Sequence, residues 1–343
     1  MATVEHRQKT VLLTGVGGFI GSHVLAHLLK HTDYRIVGVA SWKHKGTPER
    51  IIEDETYQAH KDRVTIITHD LESPFTEYTT KRMGKIDFIL NLASDSHVDR
   101  SITDPVPFVQ NNVNLVLTML ELAKKVKPQV FIQFSTDEVY GSAPLGVNHA
   151  EWSPIIPSNP YSASKAAQEA IVIAYWRTDN VPIIITNTMN VFGERQDTEK
   201  FLAKCISKIA KDDIITIHGN KDYIGSRYYI HARNVADALL YILKNLPPKL
   251  YTDSGDVDRP DRYNIVGERE IDNLKMAQMI ADIMSKPLNY RLEDFHAARP
   301  GHDRRYALDG AKLAYCGWKP PLTLEESLTK YINWTLQHPS WLQ

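Results

Sequence analysis

One glycine-rich stretch limits the folds open to this chain more than any other feature. Gly15, Gly18 and Gly21 stand in Thr14-Gly15-Val16-Gly17-Gly18-Phe19-Ile20-Gly21, directly after Thr10–Thr14, which reads as a buried strand. Gly21–Lys30 follows, with Val24, Leu25, Leu28 and Leu29 on one face of a predicted helix. Glycines at this spacing permit a tight turn and let backbone N–H groups approach a pyrophosphate, and the helix N-terminus favours the anion. Turns of this kind also close strand–helix units for packing alone. A strand before, a helix after and further βα units beyond are the context that points to a dinucleotide. Gly15, Gly18, Phe19, Ile20 and Gly21 are therefore candidate cofactor contacts.

The same rhythm continues. Arg35–Ala40, Val64–Thr68, Asp87–Leu92, Gln129–Ser135 and Val181–Thr186 read as strands, with helices at Asn111–Lys125 and Tyr161–Trp176. Such alternation predicts an α/β fold, a Rossmann-type doubly wound parallel sheet with ligands at the carboxyl ends of its strands. After about residue 190 the pattern loosens. Phe201–Ala210, Asn234–Lys244, Asn273–Met284 and Leu324–Leu336 look helical, and Pro247–Arg262 is polar and turn-rich. The expected division is a dinucleotide-binding domain over residues 1–190, with later segments returning to it, and a smaller α+β substrate lobe over 191–343.

Composition excludes several classes. The 343 residues carry 40 Lys+Arg against 41 Asp+Glu, so no global attraction to nucleic acid or an anionic membrane is expected. Two cysteines, Cys205 and Cys316, rule out a disulfide scaffold and fit a reducing cytoplasm. The start is polar rather than signal-like, and no run reaches the ~18 apolar residues of a membrane helix. No histidines stand at metal-ligand spacing, so no metal is expected.

Where a dinucleotide fold often places an acid after its second strand, this chain has Ser41-Trp42-Lys43-His44-Lys45. Cations there suit a 2′-phosphate, so NADP competes with NAD; a solvated basic loop is the equal alternative. Ser41, Lys43 and His44 are candidates on that reading, as are Asp70 and Leu71 for the adenine edge, although Asp70 reads equally as a turn residue.

The fifth strand runs into Thr136-Asp137-Glu138-Val139-Tyr140-Gly141, and Tyr161-Ser162-Ala163-Ser164-Lys165 follows. Tyr161 and Lys165 share a helix face. A lysine cation near a phenol stabilises the phenolate, which makes Tyr161 a usable base near neutral pH. Alone, this spacing is more often a surface pair; after a glycine-rich turn and several βα units it points to catalysis.

These stretches carry a resemblance. The chain resembles the extended short-chain dehydrogenase/reductases, and within them the nucleotide-sugar 4,6-dehydratases typified by dTDP-glucose 4,6-dehydratase. Leu92-Ala93-Ser94-Asp95-Ser96-His97-Val98-Asp99-Arg100-Ser101 is similar to that family's LAAESHVDRS, Thr136–Gly141 to its TDEVYG, Glu151–Lys165 to its ExxPxxPxxPYxxSK, and Arg299–Ala307 to its RPGHDRRYA. The resemblance implies cofactor contacts at Leu92, Ala93, Tyr161 and Lys165. It implies substrate contacts at Ser96, His97, Asn190, Glu199, Lys200, Arg227, Asn264, Arg299, His302 and Tyr306. Two departures stand out: Tyr228 follows Arg227 where an Asp is usual, and Glu194-Arg195-Gln196-Asp197 replaces an aromatic-rich stretch.

The implied chemistry oxidises C4 of a hexose, making C5–H acidic, then eliminates water across C5–C6. Tyr161 takes the C4 hydroxyl proton, Thr136 binds that oxygen, Glu138 removes the C5 proton and Asp137 protonates the leaving C6 hydroxyl. Adjacent carboxylates suit this division, because close like charges drive their pKa values apart. An epimerase, a decarboxylase or a 5,6-elimination within the superfamily is the alternative. The nucleotide and the hexose are left open. Relatives pair the two long helices of the first half, which implies a homodimer.

Overall fold

Runs of Val, Ile and Leu buried on both faces become the strands of a sheet covered by helices. The computed structural model describes residues 7–43, 45–220, 222–294 and 305–342. Seven strands form one sheet: β1 (Thr10–Thr14), β2 (Arg35–Ala40), β3 (Val64–Thr68), β4 (Phe88–Asn91), β5 (Val130–Thr136), β6 (Ile183–Thr188) and β10 (Asp261–Ile265), in the order β10-β6-β5-β4-β1-β2-β3. The pairs β1–β2, β2–β3, β1–β4 and β4–β5 are all parallel. The order reverses between β1 and β4, where Thr14 and Asn91 lie in register. That reversal is the switch point at which doubly wound sheets bind ligands. The seventh strand, β10, lies in a stretch whose polar, turn-rich composition hid it.

Five further strands lie among the described residues: β7 (Asn190–Phe192), β8 (Ile215–His218), β9 (Ser226–His231), β11 (Glu270–Asp272) and β12 (Tyr290–Glu293). They form a three-stranded sheet, β11-β9-β7, and a two-stranded one, β12-β8. The helices that matter for the site are Phe19–His31, Pro105–Val126, Pro160–Asp179 and Phe201–Ala210.

The chain folds as two interleaved units. The first comprises residues 1–135, 164–186 and 239–262; the second comprises 136–163, 187–238 and 263–343. In the first, Leu12, Val37, Ile89, Phe131, Ile183 and Trp176 belong to one buried cluster between sheet and helices. In the second, Phe192, Leu202, Ile206, Ile217, Ile271 and Leu328 form another. Among the described residues no helix is long and apolar enough to cross a membrane, and no group of histidine, cysteine and carboxylate side chains could hold a metal ion.

Candidate active site

The glycine turn has the geometry that the sequence called for. Gly15 adopts φ +69°, and Gly18 donates its N–H to the Gly15 carbonyl at 2.9 Å. Helix Phe19–His31 starts from Gly18. A Cβ on Gly21 would lie 2.0 Å from the Gly15 oxygen, so only glycine lets the helix sit this close to the turn. Phe19 and Ile20 open the helix, half-buried. Backbone N–H groups, a left-handed glycine and a helix N-terminus together fit a dinucleotide pyrophosphate. Leu92 and Ala93, just past β4, donate their N–H groups to Thr14 Oγ1 at 3.0 Å each.

Beyond β2 the expected cations meet carboxylates. Lys43 is hydrogen-bonded to Asp70, with Glu72 3.7 Å away. Burial pushes the Asp70 carboxyl up, but the bonds from Lys43 and the Glu72 N–H, together with the Lys43 charge, outweigh it and hold the group below its ordinary value. Ser41 is exposed and Leu71 buried; His44 lies outside the described residues. Trp42, which no sequence pattern singles out, takes a left-handed backbone at φ 56°. It donates to Thr68 Oγ1 at 2.8 Å, and its ring would sit 2.7 Å from a Cβ on Gly17. Nearby, Ser96 is exposed, while His97 caps the helix Val98–Thr103, its Nδ1 accepting from the Arg100 N–H at 3.1 Å.

The second unit assembles the carboxylate pair. β5 ends at Thr136, whose hydroxyl oxygen accepts from the Glu138 N–H at 3.3 Å and donates to Asp137 Oδ1 at 2.9 Å. A single 3₁₀ turn, Asp137–Tyr140, presents both carboxylates. Gly141 closes it at φ +72°, where a Cβ would strike the Ile156 carbonyl at 2.3 Å. Asp137 is 5% exposed, and its Oδ2 has no hydrogen-bond partner among the described residues. Burial, then the neighbouring Glu138 charge, push its pKa up to about 7, while the Thr136 hydroxyl opposes them.

Burial pushes the Glu138 carboxyl up as well, and donors and cations around it offset that in part. Asn159 Nδ2 and Tyr306 Oη donate to Glu138 Oε2, each at 3.3 Å, and the charges of Arg227 and Lys200 act on it. The Arg227 guanidinium lies 4.5 Å from the centre of the Tyr306 ring. The fold thus places Asp137, Glu138, Tyr306 and Arg227 in one cluster. Asn159, which the sequence reading passed over, joins it. It also caps the helix Pro160–Asp179, its side-chain oxygen accepting from the Ser162 N–H at 2.9 Å. The legible signal was an amide residue directly before a helix-starting proline.

Tyr161 is 9% exposed in the first turn of that helix, and Lys165 follows one turn later. The Lys165 ammonium donates to the Phe134 carbonyl and to Gln168 Oε1, both at 2.7 Å. Burial pulls its pKa down to about 8, against the nearby Glu169 charge.

Other candidates sit differently. Asn190 is exposed on β7 and Glu199 is exposed, while Lys200 precedes the helix Phe201–Ala210. Asn264 is fully buried and donates to the carbonyls of His149 and Asp309 at 3.1 and 2.9 Å, so its amide clamps backbone. Arg299 and His302 lie outside the described residues. Arg305, carried by the same motif but given no role from sequence, holds Glu270 at 2.7 Å. It also donates to Pro144 O, Val147 O and Asn148 Oδ1 at 2.6–2.9 Å.

Comparison with known proteins agrees with this geometry. The family model described as GDP-mannose 4,6 dehydratase matches residues 12–331. A dTDP-glucose 4,6-dehydratase of Escherichia coli K12 is 32% identical, with 97% of this chain and 94% of that one covered. An Arabidopsis thaliana trifunctional enzyme with UDP-glucose 4,6-dehydratase activity is 33% identical over 98% of this chain and 48% of its own. Among solved structures, the dTDP-glucose 4,6-dehydratase DesIV of Streptomyces venezuelae, with NAD and TYD bound, has a TM-score of 0.81 at 26% identity, covering 97% of this chain and 100% of that chain. With a family-model match over residues 12–331 and a relative 32% identical along nearly its whole length, the chain belongs to the nucleotide-sugar 4,6-dehydratase family.

Proposed function

We propose that the enzyme removes water from a nucleotide diphosphate hexose, giving the 4-keto-6-deoxy sugar. The observation that carries this is the asymmetric pair Asp137 and Glu138. Asp137 is buried with one hydroxyl partner and stays substantially protonated near neutral pH, whereas Glu138 has two donors and two cations to stabilise its charge. An epimerase has no use for that division.

A bound nicotinamide dinucleotide supplies the acceptor for the C4 hydride and the donor that returns it to C6. The glycine turn and the start of helix Phe19–His31 would hold its pyrophosphate, and Leu92 and Ala93 the edge beside it. Tyr161 Oη takes the proton from O4 of the sugar, with Thr136 Oγ1 bonding the same oxygen. Glu138 removes the C5 proton once C4 is a ketone. Asp137 Oδ2, the oxygen without a protein partner, delivers its proton to O6 as that hydroxyl leaves. General acid and base help of this kind is worth ~10²–10⁴-fold each.

NAD rather than NADP is the cofactor on this reading, because the Lys43 ammonium is already held by Asp70 with Glu72 behind it. A 2′-phosphate there would meet carboxylates. The enzyme works as a homodimer through its two long helices.

Incubation with a panel of dTDP-, UDP-, GDP- and CDP-hexoses, read by mass spectrometry, tests the proposal. Loss of one water from at least one substrate is expected, with solvent deuterium entering C5. Glu138→Gln abolishes that exchange while C4 oxidation persists, and Tyr161→Phe blocks oxidation itself. Absence of water loss from every substrate would overturn the reading.

A further inference from the structure

Polar side chains inside a parallel sheet persist only when each finds a partner. In the first unit, four of them join into one line ending at Lys165. Thr14 Oγ1 donates to Asn91 Oδ1 at 2.8 Å, Asn91 Nδ2 donates to Gln133 Oε1 at 2.8 Å, and Gln133 Nε2 donates to Gln168 Oε1 at 3.1 Å. Lys165 Nζ donates to that same Gln168 oxygen at 2.7 Å. None of these side chains is more than 3% exposed.

The line has one direction. Thr14 Oγ1 accepts from the N–H groups of Leu92 and Ala93, so its single hydrogen goes to Asn91. The Asn91 amide must then turn its NH₂ to Gln133, and Gln133 must turn its own to Gln168. Gln168 Nε2 is taken by the Asn112 carbonyl at 2.7 Å, which fixes the same orientation from the other side. An acceptor oxygen is therefore presented to the ammonium with no freedom to flip. Together with the Phe134 carbonyl, it occupies two of the three ammonium donors and so sets where the third points.

We propose that Gln168 is a positioning residue for Lys165, holding the ammonium charged and aimed through an oxygen whose orientation is inherited from Thr14 beside the glycine turn. The inference rests on the reading above, in which Tyr161 takes the O4 proton, with the Lys165 ammonium favouring its phenolate. Its electrical surroundings are sparse. Glu169 is the charge that acts on it, and Glu169 in turn is paired with Arg262 of β10 at 2.8 Å and bonded by Ser135. Strands β4 and β5 and the helix Pro105–Val126 present the amides of Asn91, Gln133 and Asn112. On its own helix Tyr161 stands one turn earlier and Glu169 one turn later, while Tyr175, Arg177 and Asp179 lie in the last two turns.

Gln168→Met keeps the volume and removes the acceptor, so the ammonium is lost at lower pH. Gln168→Glu keeps an acceptor and adds a negative charge, so it is lost at higher pH. Isotope-labelled lysine, with the Lys165 Cε resonance assigned by Lys165→Arg, follows this titration by NMR in the cofactor-free protein. Shifts of roughly one pH unit in opposite directions are expected. The alkaline limb of single-turnover nicotinamide reduction moves in step. Gln168→Ala, which removes the acceptor without adding bulk, gives the downward shift should either of the other variants not fold. Titration of Lys165 at the wild-type pH in these variants, or displacement in one common direction, would overturn the inference. A wild-type enzyme that reduces no nicotinamide with any nucleotide sugar would instead overturn the reading of its function, with the NMR titration still deciding the role of Gln168.

Discussion

Asp137→Asn should make the protein more stable while nearly stopping its chemistry. The wild-type carboxyl moves from 3.8 to about 7 on folding, chiefly by burial. The folded chain therefore binds this proton more tightly than the unfolded chain. Stability attached to it is fully present below the unfolded pKa, falls as pH rises through the window between about 4 and about 7, and is absent above it. Three pKa units at ~1.4 kcal/mol each give a ceiling of about 4 kcal/mol. The asparagine amide needs its own partners in the same buried place, and one poorly met N–H costs ~1–3 kcal/mol. About 2 kcal/mol of net stabilisation at pH 8 is the expected outcome, shrinking towards zero or below at pH 4. Urea unfolding of both proteins at the two pH values measures it, through the shift in midpoint at unchanged slope. The dehydration rate of the same variant falls ~10²–10⁴-fold. A stability difference that is equal at both pH values, or smaller at the higher one, would refute the assignment of a buried, strained carboxyl to Asp137.

Further outcomes follow from other contacts. Gly21→Ala puts a methyl 2.0 Å from the Gly15 carbonyl, so dinucleotide affinity measured by calorimetry should fall at least ~10-fold; an unchanged affinity would separate the turn from the cofactor. Arg305→Met strands Glu270 and three loop oxygens, lowering stability by ~2–4 kcal/mol in urea titration, with Arg305→Lys intermediate. Sedimentation should return twice the 39.0 kDa chain mass at micromolar concentration, and the single-chain mass would contradict the homodimer.

The parts of the fold that sequence revealed are those governed by local pattern. Arg35–Ala40, Val64–Thr68 and Phe201–Ala210 coincide with observed elements because apolar periodicity there matches the period of the element. β10 was missed because Asp261, Arg262 and Asn264 are polar; their burial is made tolerable by partners remote in sequence, such as Glu169 for Arg262 and the carbonyls of His149 and Asp309 for Asn264. The carboxylate-bearing stretch Thr136–Gly141 was legible because one tight turn carries it whole. Arg227 and Tyr306 were named as substrate contacts, but the contacts that tune the carboxylates were not legible. Asn159, Tyr306 and Arg227 reach Glu138 or one another through tertiary contacts that no spacing encodes, and Lys43 looked cationic because its carboxylate partner Asp70 is 27 residues away in sequence.

The interleaving of the two units bears on synthesis. A ribosome delivers β1 through β6 before residue 190, yet β10, the neighbour of β6, arrives only at Asp261. Until then a nascent chain has the hydrogen-bonding edge of β6 unmet, the kind of edge that recruits a strand from another chain. The stretch around Asn148 waits longer still, since Arg305, which ties down Pro144, Val147 and Asn148, comes after four-fifths of the polypeptide. Prematurely terminated chains would therefore carry a complete glycine turn and, beside an unanchored loop, the carboxylate turn Asp137–Tyr140. Such fragments would be able to sequester dinucleotide without turning over sugar, and their open sheet edge marks them for chaperone capture or disposal.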